Sequence, residues 1–142
     1  MHLKKMSRKT ARENLYKLVF EYLFNKDENT PSLEIITNSP DVAESEVEYI
    51  TSSYKGVISH YDELCELIAS SAHGFVIERI YKPDLTALLI ACYEMKYTDI
   101  PKRVAISEAV DLVKSYSTEK SGAYVNGILA SIYKELQQTE EK

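Results

Sequence analysis

Residues 104–129 read VAISEAVDLVKSYSTEKSGAYVNGIL, and this stretch decides the fold class. In its first half Ile106, Ala109, Val110 and Val113 recur at steps of three and four, with Ala105, Leu112 and Tyr116 widening the stripe. In its second half Val125, Ile128 and Leu129 repeat the pattern, and Ile132 and Leu136 carry it further. Apolar residues at that period turn one face of a helix towards a core. The segment between them, Ser117-Thr118-Glu119-Lys120-Ser121-Gly122, is short and rich in hydroxyls, and Ser121 is the expected N-cap. So short a connection folds the two helices back on each other as a hairpin.

Asn126 and Gly127 stand inside the second apolar run, where helix propensity disfavours both. Glycine lets another helix approach closely, and a buried asparagine needs hydrogen-bond partners. The spacing favours a structural role for the pair. Asn126 is expected to tie the hairpin to the rest of the core, with Gly127 as a packing notch.

The chain has 142 residues, enough for one domain with a sizeable core. Four glycines and four prolines are too few for a turn-rich all-β protein. Cys65 and Cys92 lie on helical stripes beside leucines, as buried free thiols of a reducing compartment do. His2, His60 and His73 show no ligand spacing, so neither metal nor cofactor is expected. No apolar run reaches membrane-spanning length, and residues 1–12 lack the apolar centre of a signal peptide. The expected location is the cytoplasm.

The net charge of −5 conceals an asymmetry. Lys4, Lys5, Arg8, Lys9 and Arg12 are the only charged residues among the first twelve, and without them 12 basic face 22 acidic residues, a net −10. A basic arm on an acidic body suggests a localised contact with an anion. Arg8, Lys9 and Arg12 also fall on the first turns of a helix, opposing its dipole at a cost of about a few tenths of a kcal/mol each. They are either phosphate contacts or simply a solvated start.

From the N-terminus, Ser7 or Thr10 caps a helix carrying Leu15, Leu18, Val19 and Tyr22 and ending near Phe24. Phe20 and Tyr22 read as core rather than as a platform for bases. Thr30-Pro31 opens a short helix that stops at Asn38-Ser39-Pro40-Asp41. From about Val42 to Ala72 the three-four step is unbroken, as one long helix or two pieces joined near Gly56 or His60. Gly74 has the place of a C′ glycine. Phe75, Ile77 and Ile80 form an apolar connector, and Lys82-Pro83-Asp84 starts the helix of Leu85, Leu88, Leu89, Cys92 and Met95. Thr98-Asp99-Ile100-Pro101 breaks it before the hairpin. No strand period and no internal repeat occurs. The fold expected is all-α, about six or seven helices in two small packed bundles, over about residues 7–72 and 73–137.

Phosphate loops, metalloprotease motifs, nucleophile elbows and Cys-x-x-Cys pairs are all missing, and Glu78, Glu94 and Glu108 sit where helix surfaces explain them. No enzyme is expected. Several segments instead carry a family pattern. The hairpin is similar to V-A-I-N-E-A-V-E-L-A-K followed by S-x-x-F-V-N-G-V-L. Residues 8–13, RKTARE, are similar to an arginine-rich opening, and 75–80, FVIERI, to W-x-x-D/E-R-[IL]. Residues 84–95, DLTALLIACYEM, resemble D-x-x-x-L-R-x-A-x-Y-E-[LM], and Asp99-Ile100-Pro101 matches D-[IV]-P. Together, in this order, they resemble the NusB family of bacterial transcription antitermination factors. The departures are Phe75 for Trp, Leu89 for Arg, Ser107 for Asn, and Lys9 in a run otherwise richer in arginine, where lysine lacks the bidentate fork.

The resemblance implies two small helical bundles that bind a single-stranded boxA element of ribosomal RNA leader transcripts. It implies a heterodimer with the small-subunit ribosomal protein NusE, acting in an antitermination complex on RNA polymerase. The basic arm, Lys4, Lys5, Arg8, Lys9 and Arg12, would then grip phosphates. Tyr124, Phe in most relatives, would stack a base, and Lys114, Lys120 and Ser121 would reach backbone oxygens around the same turn. Against this, Tyr124 also reads as a core aromatic and Lys120 as merely solvated. Two other readings remain: a homodimeric or protein-interaction module of the same fold with little RNA affinity, and the RNA-binding fragment of an RNA methyltransferase.

Overall fold

The computed structural model describes residues 5–72 and 76–140. These form seven α-helices: α1 (Arg8–Asn25), α2 (Thr30–Thr37), α3 (Glu44–Ser59), α4 (Tyr61–Ser71), α5 (Lys82–Tyr97), α6 (Lys102–Tyr116) and α7 (Ser121–Glu140). A single 3-10 turn, Ile77–Arg79, precedes α5, and no strand occurs among the described residues. The places expected for Gly74 and Phe75 lie outside the described residues.

The chain divides into two compact units between Ser59 and His60. The boundary expected near residue 72 is thus earlier, and α4 belongs to the C-terminal unit. Its apolar period continues that of α3 without a fault, so the pattern hides the break. The backbone changes at His60, which has φ −108° and ψ 16° and gives no side-chain cap. After it, α4 packs on α5 and α7.

In the N-terminal unit α1, α2 and α3 pack on one another. Ser7 is the N-cap of α1, its Oγ accepting from the amide of Thr10 at 3.1 Å. The helix ends at Lys26, which takes a left-handed φ of 59° and donates its amide to the Tyr22 carbonyl at 2.8 Å. Leu15, Leu18 and Val19 meet a core that includes Ile50, Tyr54 and Val57. Asn29, rather than Thr30, caps α2, since its Oδ1 accepts from the amide of Ser32 at 3.0 Å. The amide of Asn29 itself donates to the hydroxyl of buried Tyr54 at 2.9 Å, and burial pushes that phenol above its ordinary pKa.

In the C-terminal unit α5 is the central element, touching α4, α6 and α7. Every residue from Asp84 to Cys92 is buried, as a helix surrounded by others must be. Leu89 is completely enclosed, which explains an apolar residue at that place. Cys92 is buried and Cys65 half-buried, and both are free thiols. Burial raises the Cys92 thiol well above its ordinary pKa, so it acts as a small apolar side chain. The α6–α7 hairpin forms as its spacing predicts.

Candidate nucleic-acid interface

The α6–α7 turn is held by hydroxyls, though not in the expected way. Ser121 is the first residue of α7 rather than its cap, and the carbonyl of Lys120 accepts from the amide of Tyr124 at 3.2 Å. Buried Ser121 accepts the amide of Thr118 on its Oγ at 3.2 Å, and the same Oγ lies 2.9 Å from the hydroxyls of Ser117 and Thr118. Ser117 donates in turn to Asp84 Oδ1 at 2.6 Å. Asp84 is 6% exposed and sits in the first turn of α5, where a carboxylate suits the helix dipole. This chain of hydrogen bonds fixes the turn to α5. It also removes Ser121 from the set of side chains free to meet RNA.

Above the network lies a groove of about 270 Å³, lined by Arg79, Tyr81, Asp84, Lys120 and Tyr124 among others. Tyr81 is 57% exposed and Tyr124 half-buried. Burial raises the Tyr124 phenol, and the negative charge of Asp84 adds to the shift. Tyr124 is thus neither a sealed core residue nor a free platform; it forms a wall with an accessible part. Two tyrosines and two cations around a groove suit a planar ring beside an anion. Lys114 is exposed on α6, its stem running beside Gly122, where an added Cβ would stand 3.5 Å from Lys114 Cε.

The basic residues before and in α1 are arranged differently from expectation. Lys4 lies outside the described residues. Lys5 is exposed and donates to the Pro40 carbonyl at 3.4 Å, and Lys9 is exposed. Arg8 Nε pairs with Glu46 Oε2 at 2.7 Å while its guanidinium lies 4.2 Å from the centre of the Tyr49 ring. Arg12 is 5% exposed, its guanidinium 5.4 Å from the same ring. Arg12 is thus buried where a phosphate contact was expected, whereas Arg8 stays exposed while paired with Glu46. Glu46 and Tyr49, one turn apart on α3, gather them, and the arm offers chiefly its lysines.

Asn126 and Gly127 also depart from expectation. Both are exposed; the Asn126 carboxamide makes no hydrogen bond among the described residues, and a Cβ on Gly127 would meet nothing within 4 Å. Neither a tie to the core nor a notch is present, because their positions fall on the solvent side of α7. The sequence reading missed Arg79, Tyr81 and Asp84. Arg79 and Asp84 stand in segments already singled out, and the Lys-Pro that follows Tyr81 fixes the start of α5.

Among the described residues no group of three metal-ligating side chains occurs, and no helix is long and apolar enough to cross a membrane. Among the described residues, seven helices in two units, with a tyrosine-lined groove flanked by cations, define an all-α helical protein. Its relatives say which. The family model described as NusB family matches residues 7–134. A transcription antitermination protein NusB of Acetivibrio thermocellus is 38% identical over 130 residues, 91% of this chain and 90% of that one. That of Agathobacter rectalis is also 38% identical, over 88% of this chain and 98% of its own. Among solved structures, T. maritima NusB aligns with a TM-score of 0.82 at 30% identity, covering 92% and 93% of the two chains. The chain belongs to the NusB family of transcription antitermination proteins.

Proposed function

We propose that this protein binds a single-stranded boxA element of nascent ribosomal RNA in the cytoplasm. It does so together with the ribosomal protein NusE, as part of an antitermination complex on RNA polymerase. The observation that carries the RNA reading is the groove at the start of α7, where Tyr81 and Tyr124 stand with Arg79 and Lys120. The aromatic rings take an unstacked base and the cations take the adjoining phosphates. Lys5 and Lys9 add exposed positive charge from the N-terminal unit. A structural neighbour of the same fold is described as antitermination factors NusB and NusE in complex with dsRNA, so RNA and NusE come into this reading from that protein, and the preference for a single strand rests on the groove's rings alone.

Titration of a labelled boxA oligonucleotide, with and without NusE, tests the reading. Tyr124→Ala should weaken binding by about 1–3 kcal/mol, roughly five- to 150-fold, if a base stacks on it. Unchanged affinity in that variant, or equal affinity for a duplex and a single strand, would reject the assignment. Failure of NusE to strengthen binding would reject the partner.

A further inference from the structure

A second groove lies elsewhere on the α6–α7 hairpin, with a volume of about 360 Å³. Ile106, Ala130 and Tyr133 supply its apolar surface, and Arg103, Lys134 and Asn126 supply its polar rim. Tyr133 is steadied by Gln137, whose Nε2 donates to its hydroxyl at 2.8 Å. Ala130 lies about 120° around the helix axis from Tyr124, so this groove is separate from that of the proposed RNA contact.

Three observations show that this face is not explained by the packing of the chain itself. Gly127 is mid-helix, exposed, and would have open space around a Cβ, although glycine is the poorest helix former after proline. With Ala123 and Ala130, also exposed and at i−4 and i+3, it leaves the backbone of α7 uncovered over about two turns. The Asn126 carboxamide has no hydrogen-bond partner, and neither Arg103 nor Lys134 enters an ion pair or hydrogen bond among the described residues. Two cations that pair with no carboxylate among the described residues are conspicuous in a chain of net charge −5.

We infer that this face docks an acidic segment of a protein partner. Its carboxylates meet Arg103 and Lys134, an apolar side chain enters beside Ile106 and Tyr133, and its backbone passes close over Gly127. Asn126 supplies a donor and an acceptor to that backbone. A nucleic acid would use the cations and the Tyr133 ring but neither Ile106 nor the uncovered helix backbone, and an acidic peptide uses all of them.

The test is an amide chemical-shift titration of the full chain with a synthetic helical peptide bearing glutamates on either side of a leucine stripe. The same peptide with glutamine at every glutamate position, and single-stranded oligouridylate, are titrated in parallel. The acidic peptide should shift Ile106, Gly127 and Ala130, and the glutamine peptide should bind at least tenfold more weakly. Arg103→Glu with Lys134→Glu, and separately Gly127→Leu, should each lower its affinity at least tenfold. Gly127→Leu keeps the fold because its side chain enters open space, and circular dichroism verifies that. Tyr124→Ala should leave peptide binding unchanged, so failure here and failure of the RNA reading are distinguishable. Absence of shifts, equal affinity for the glutamine peptide, or stronger shifts of this face by oligouridylate would overturn the inference.

Discussion

Asp84 shows how one side chain holds the groove together. It is buried, yet it accepts the Ser117 hydroxyl at 2.6 Å, and Ser117 in turn reaches Ser121. A charge-assisted bond of this kind contributes about 1.5–3 kcal/mol. Asp84→Ala and Ser117→Ala should each destabilise the protein in urea melts, and a double-mutant cycle should show coupling above about 0.5 kcal/mol. Additive losses would mean that the pair does not act as a unit. Glu63 permits a second residue-scale prediction. Hydrogen bonds from Lys96, and then Tyr97, lower its carboxyl from 4.5 to about 2. Its contribution to stability is complete above about pH 4.5 and is lost as the pH falls towards 2. Glu63→Gln should therefore flatten the fall in stability between pH 5 and pH 3. An unchanged acid dependence would show that the pair forms no net interaction. Such pairings join residues distant in sequence, so neither Asp84–Ser117 nor Glu63–Lys96 is legible from spacing.

Among the elements, α7 carries both grooves, and its predicted stripe of Val125, Ile128, Leu129 and Ile132 is indeed buried. What the spacing could not show is which flank of that stripe faces solvent. Asn126 and Gly127 look like core residues in a linear pattern because they adjoin Val125 and Ile128 on both sides. On the helix they rotate out of the core. Gly127→Ala should therefore stabilise α7 by up to about 1 kcal/mol, raising the melting temperature by roughly 2–6 °C. A drop in melting temperature would reveal a contact that the open space around Gly127 denies. α1 gives the opposite case. Its cap was legible to within Ser7 or Thr10 because hydroxyl followed by helix is a local signal, and Ser7→Ala should cost about 1 kcal/mol. A loss below about 0.3 kcal/mol would mean that solvent replaces the cap. The α3–α4 break at His60 was one of two candidate joints, since the period runs through both and propensity points to Gly56 instead.

Across the whole molecule, helix number and fold family followed from periodic apolar stripes and ordered motifs, both of which are local in sequence. Charge placement did not follow. The five basic residues of the first twelve looked like one arm, but Glu46 and Tyr49 arrive from α3 to hold Arg8, and Arg12 is buried beside the same ring. An arm of five phosphate contacts would give a log-affinity against log-salt slope of about −3.5. The groove's own cations, Arg79 and Lys120, account for about −1.5 of the slope on a single strand. Removing the two together should therefore reduce its magnitude by about 1.5. The most direct measurement is therefore the salt dependence of boxA binding by the intact protein and by the Arg79→Ala, Lys120→Ala double variant. A slope that falls in magnitude by about 1.5 in the variant is the predicted result; a slope near zero in the intact protein, or one that the double variant leaves unaltered, would contradict the groove as the site where RNA is held.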